Sequence, residues 1–137
     1  MKGLIIKRPW IDFILDGVKA WEVRGSNTNV RGEIALIESG TKTVVGVAEL
    51  VGSRRLSLEE YQASEAVHCI RSHGELPYPQ TFGWVLENPR RLSQPVPYAH
   101  PQGAVIWVNL DPCGLECYRE NDSIRSRDRK EYRIDGS

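Results

Sequence analysis

Lys19, Glu22 and Arg24 fall within the stretch Gly17-Val18-Lys19-Ala20-Trp21-Glu22-Val23-Arg24. A hydrophobic core tolerates Trp21 and Val23 well, but charged side chains only when they are paired. A lysine at the mouth of a cleft can hold a phosphate or the oxyanion of an acyl-transfer intermediate. If desolvated, its pKa falls and it can act as a base. The plain alternative is an exposed lysine at the entrance to a strand. Glu22 and Arg24 share one strand face, so they can form an ion pair. If exposed, that pair contributes under ~1 kcal/mol; in a site, it aligns the guanidinium for bidentate contacts to a phosphate or a base edge. Both readings of the pair stand.

The elements that must position these residues follow from the pattern around them. Leu4-Ile5-Ile6 reads as a first strand, and Pro9 suits the first turn of a helix. Trp10, Ile11, Phe13, Ile14 and Val18 recur near helical spacing, with Asp12 and Asp16 toward water and Gly17 as the C-terminal cap. From Ala20 to Arg24 the chain alternates as a strand does, with Trp21 and Val23 inward and Glu22 and Arg24 on the opposite face. Residues 33–38 and 43–51 form a hairpin across Ser39-Gly40-Thr41-Lys42, and Gly46 marks a bulge or a close approach. Ser57 and Glu60 have the spacing of a capping box, which opens a second helix running to about His68. Phe82 to Glu87 is a strand stopped by Asn88-Pro89. Pro95, Pro97 and Pro101 occupy an irregular crossing, and Gly103 to Leu110 is the last strand. Hairpins and irregular loops replace regular βαβ alternation. The expected fold class is mixed α+β: a small barrel of five to six strands with two short helices.

Composition narrows the partners. Of 137 residues, 18 are basic and 18 acidic, so no global field draws the protein to a polyanion. Residues 1–31 carry six basic side chains against three acidic, a local bias that permits an anionic partner. No apolar run approaches the ~20 residues of a membrane span, and the amino terminus lacks the apolar segment of a signal peptide; a cytoplasmic protein without a membrane partner is expected. Cys69, Cys113 and Cys117 cannot all pair within one chain. With His68 and His73 they offer only loose metal spacing, so they read as ordinary thiols, with no metal and no cofactor expected. Residues 111–137 hold 13 charged side chains in 27 and read as an extension, docked or mobile, outside a domain spanning 1–110.

Pro9-Trp10 before a short helix, then Gly17-x-Lys19-x-x-Glu22-x-Arg24, then Phe82-Gly83-Trp84-Val85-Leu86 and Gly103-Ala104-Val105-Ile106-Trp107 resemble the signature of ASCH domains. The resemblance covers residues 2–110. It implies a PUA-like β-barrel with a cleft beside the first helix, lined by Lys19, Glu22 and Arg24. The implied partner is RNA, another single-stranded nucleic acid or a modified nucleoside. Lys7 and Arg8 then become candidates for phosphate contacts. Trp10 and Trp84 become candidates for base stacking, worth ~1–3 kcal/mol by alanine substitution, although both also suit a core. Trp21 and Trp107 are assigned to the core. Oligomeric state is left open.

Family members differ in activity, some binding nucleic acid only, others acting as ribonucleases or as amidohydrolases on N4-acetylcytidine, so the fold alone does not decide the chemistry. The amidohydrolase pattern places a threonine nucleophile three residues after the lysine, and here that position holds Glu22. A hydrolase would instead use Glu22 to activate water and Lys19 or Arg24 to hold the oxyanion. A further glutamate would come from the second helix, where Glu60 and Glu65 are the candidates. Binding is therefore the first reading and hydrolysis the alternative. A protein-interaction module working through the charged tail comes third.

Overall fold

The computed structural model describes residues 1–110; the charged extension, with Cys113 and Cys117, lies outside the described residues. Six strands form one curled sheet, a half-barrel: β1 (Lys2–Ile6), β2 (Trp21–Arg24), β3 (Gly32–Glu38), β4 (Thr43–Arg55), β5 (Phe82–Pro97) and β6 (Trp107–Asn109). Their order across the sheet is β2-β5-β4-β3-β1-β6, and every neighbouring pair is antiparallel except β1 with β3. Leu4, Ile6, Leu36, Leu50 and Trp84 make the main core, which α1 (Trp10–Leu15) covers with Ile11, Ile14 and Leu15. A second core lies under α2 (Leu58–Ala63), where Tyr61 meets Val23 and Leu56 with Trp21 packed alongside.

The end of α1 is built as expected. Gly17 has φ +81°, a conformation glycine adopts without steric cost. The amides of Val18 and Lys19 both donate to the Phe13 carbonyl, at 2.9 and 3.0 Å. The chain then enters β2 between two anchors: Ala20 N–H donates to Val67 O, and Leu86 N–H donates to Ala20 O. Gly46 confirms the expected close approach, since a Cβ there would lie 2.4 Å from Leu15 Cδ2 and 2.6 Å from Arg90 O. Both halves of the Ser57–Glu60 capping box are present.

Four boundaries differ from expectation. The second helix breaks at Ser64, whose hydroxyl donates to Glu60 O, and resumes as α3 (Glu65–His68), making three short helices. Asn88-Pro89 does not stop β5. Asn88 takes φ +49° and the register slips between Val47 and Glu49, so the pair is absorbed as a bulge and the strand continues. Pro95 and Pro97 accordingly lie within β5 rather than in a loop. The last strand is confined to Trp107–Asn109, because 103–106 turns before joining β1. Trp21 is only partly buried: it sits beside the smaller core with the Arg54 guanidinium 5.2 Å from its ring.

Candidate functional site

A cleft of about 350 Å³ opens where α1, β2 and the segment 70–78 meet. Lys19, Glu22 and Arg24 line it together, with Lys7 at its margin. The backbone explains their convergence. The Phe13 carbonyl fixes Lys19 at the end of α1, and β2 alternation turns Glu22 and Arg24 onto the face that carries Trp84, opposite the Trp21 and Val23 face.

Lys19 is buried, 2% exposed, and its ammonium donates to the His68 carbonyl at the end of α3. Its Nζ lies 3.8 Å from Glu22 Oε1 and 5.0 Å from the centre of the Trp10 ring. Burial pushes its pKa below the ordinary 10.5; Glu22 and Cys69 partly oppose that shift, and Arg24 adds to it. Lys19 is therefore a desolvated amine held in place rather than a solvated surface charge.

Arg24 donates from Nε and Nη2 to a single oxygen, Glu22 Oε2, at 2.9 and 2.8 Å, and Nη2 also donates to Ile5 O at 2.8 Å. Its guanidinium lies 5.6 Å from the Trp84 ring centre. This geometry leaves three groups uncommitted. Among the described residues, Arg24 Nη1 donates no hydrogen bond and Glu22 Oε1 accepts none. Lys19 Nζ retains donors beyond the one given to His68. Donor, acceptor and donor thus converge at the cleft floor, near the apolar ring of Trp10.

His68 supports this arrangement without taking part in it. Its Nε2 bonds the Tyr61 carbonyl and so carries the proton, while Nδ1 accepts from Ile70 N–H. Burial pushes its pKa down, in keeping with a neutral ring stacked on Tyr61. With both ring nitrogens committed to backbone groups, His68 has none to offer a metal.

The other candidates divide. Lys7 and Trp10 line the cleft. Arg8 does not; it points at Asp12, 3.2 Å away. The stacking role expected of Trp84 is corrected. The ring is 1% exposed, stacks on Trp107 at 5.6 Å, carries Arg24 above it and donates to Ser26 O, so no face is free for a base. It supports Arg24 instead. Neither Glu60 nor Glu65 lines the cleft. Glu60 is held by the capping box and Arg54, and Glu65 by His73. Glu22 is the one carboxylate among the described lining residues.

Two hydroxyl-bearing lining residues have no counterpart in the expectations, Ser39 from the β3–β4 turn and Tyr78 from the loop before β5. Tyr78 packs against Gly25, where a Cβ would come within 2.9 Å of its ring, and 41% of it is exposed. The bare glycine directly after Arg24 was the available signal. The missing threonine hydroxyl is thus accompanied by two hydroxyls brought in from distant segments.

A family model for the ASCH domain matches residues 4–96. Among solved structures, ASCH from Zymomonas mobilis aligns with a TM-score of 0.64 at 13% identity, over 84% of this chain and 90% of that one. A serine-to-alanine variant of that protein gives 0.64 at 14% identity, over 81% and 88% of the two chains. A tyrosine-to-phenylalanine variant gives 0.60 at 14%, over 81% and 90%. At these identities the likeness is one of fold. A search of curated proteins finds no match.

Proposed function

The chain belongs to the ASCH domain family, and from that premise we propose that it binds single-stranded RNA or a modified nucleoside in the Lys19–Glu22–Arg24 cleft. The observation that carries this reading is the row of uncommitted groups, Arg24 Nη1, Glu22 Oε1 and Lys19 Nζ, under the aromatic walls of Trp10 and Tyr78. A nucleobase offers the complement. Its edge alternates acceptors and donors, and its faces stack on aromatic rings. Arg24 is prepared for this role, because Glu22, Ile5 O and Trp84 fix its plane before any ligand arrives. Lys7 adds a cation at the margin for a phosphate.

The test is a titration of short single-stranded RNAs and free nucleosides at two salt concentrations. RNA binding should weaken with salt, and Arg24→Gln should weaken binding of both ligand types by roughly tenfold, the loss of one charge-assisted contact. No salt-sensitive binding across the set would overturn the reading.

One observation favours a second reading. The desolvated amine of Lys19 beside the Glu22 carboxylate is a pairing suited to acyl hydrolysis. In that reaction Glu22 takes a proton from water, and the water oxygen attacks the acyl carbonyl of an N-acylated base. Lys19 or Arg24 holds the oxyanion, and the nitrogen leaves with the proton returned from Glu22. Turnover of N4-acetylcytidine or cleavage of RNA, lost in Lys19→Ala, is the expected sign. Neither reaction at high protein concentration would leave binding alone.

A further inference from the structure

Trp10 also lines a second cavity, of about 550 Å³, that the cleft chemistry does not use. It is built between the end of α1 and α3: Phe13, Val18 and Ala66 supply apolar walls, and Cys69 donates its thiol proton to Val18 O, tying the two elements together. Val18 is 59% exposed, a large apolar side chain that nothing among the described residues covers. Trp10 lines both cavities, so the two are neighbours across one side chain. Two charged side chains also line the second cavity. Glu65 is spoken for by His73 at 2.7 Å, while Arg71 is exposed and has no ion-pair partner among the described residues.

Resting on the binding reading above, we infer that this second cavity takes the neighbouring base of the same strand, so that the ligand is a single-stranded oligonucleotide rather than a lone nucleoside. Charge decides the occupant. An apolar group alone would not need Arg71, whereas two adjacent bases bring a phosphodiester with them. Arg71, which lines the cavity and has no ion-pair partner among the described residues, is the cation to receive it. An aromatic shared between two subsites is also what consecutive stacked bases require, since each base presents a face regardless of sequence. The apolar walls of Phe13, Val18 and Ala66 accept any base, so discrimination remains with the polar row of the first cleft.

The experiment compares cytidine with the dinucleotide cytidylyl-cytidine by titration against the full chain. The dinucleotide should bind roughly 5- to 150-fold more tightly, the range of one added base–aromatic stack. In Val18→Glu, which places a carboxylate in the apolar cavity, the ratio of the two affinities should fall toward one. In Arg71→Ala it should fall by less, and the salt dependence of dinucleotide binding should become shallower. Alkylation of Cys69, followed by peptide mapping, should be slowed by the dinucleotide and not by cytidine. A ratio near one in the unaltered protein overturns this inference and leaves the first cleft standing. So does a ratio that survives Val18→Glu, because the second base then lies elsewhere. If neither ligand binds, both readings fall.

Discussion

Two clusters of charge flank α1, made of nearly the same residue types and differing in where they sit. On the outer side, Arg91 bridges Asp16 at 2.8 Å and Asp12 at 3.6 Å, and Arg8 reaches Asp12 at 3.2 Å, all between side chains that are 30% exposed or more. On the inner side, Lys19, Glu22 and Arg24 are joined at 3.8 and 2.8 Å, with side-chain exposures of 1%, 8% and 15%. In the outer cluster, water screens each charge and the ion pairs tack the helix to β5 at little gain. In the inner cluster, each charge has been taken out of water, which is costly unless every partner is present. The outer groups are free to be replaced. The inner groups are held in one geometry with donors and an acceptor to spare, and that contrast separates a fastening from a candidate site.

The comparison breaks most readily at Glu22. Glu22→Ala leaves the buried Lys19 and the half-buried Arg24 without their carboxylate and should cost about 3–5 kcal/mol in urea unfolding. Glu22→Gln, which keeps an acceptor for Arg24, should cost less. A loss under ~1 kcal/mol for the alanine variant would place the inner cluster in the same class as the outer one.

Lys19 sharpens the contrast through pH. Burial lowers its pKa in the folded chain beneath the unfolded value near 10.5. Between those two values the unfolded chain binds more protons, so the stability due to Lys19 rises with pH over that window. Below the window both states carry the ammonium, and the cost of burying it is felt in full. Lys19→Met should remove this slope, so the difference between unmodified and variant stability curves should climb with pH. Tyr61 and Tyr98, whose pKa values burial raises, act in the opposite sense above about pH 10 in both proteins and cancel in the difference. A flat or falling difference would mean that Lys19 is solvated.

The smallest effect belongs to the outer cluster. Arg91→Ala should lower stability by at most ~1 kcal/mol, with less loss in high salt, and should leave nucleoside affinity unchanged. A measurable change in affinity would mean that the two clusters communicate through α1.

What the chain discloses in advance follows the range of the interactions involved. The cap at Gly17, the Ser57–Glu60 box, the 39–42 turn and the alternation through β2 depend on residues within a few positions of one another, and all are readable from spacing. So is the grouping of Lys19, Glu22 and Arg24 on one short stretch. Whether those charges would be buried is not readable, because it depends on His68, Trp84 and Ile5 arriving from three other elements. Asn88-Pro89 looks like a stop because its local propensity is that of a turn; pairing with β4 on both sides overrides it. Trp84 and Trp10 are alike as letters. Only the stacking of Trp107 on one and the opening of the cleft beside the other assign the first to the core and the second to a wall. Tyr78 and Ser39 come from irregular segments with no periodicity to mark them.

The proposal that the inner cluster holds a nucleobase stands or falls on a crystal structure of the protein with cytidine 5′-monophosphate at saturating concentration. The expected result is a base ring between Trp10 and Tyr78, with its polar edge within hydrogen-bond distance of Arg24 Nη1 and Glu22 Oε1. A cleft that stays empty at saturation, or a nucleotide bound elsewhere on the surface, would contradict the account.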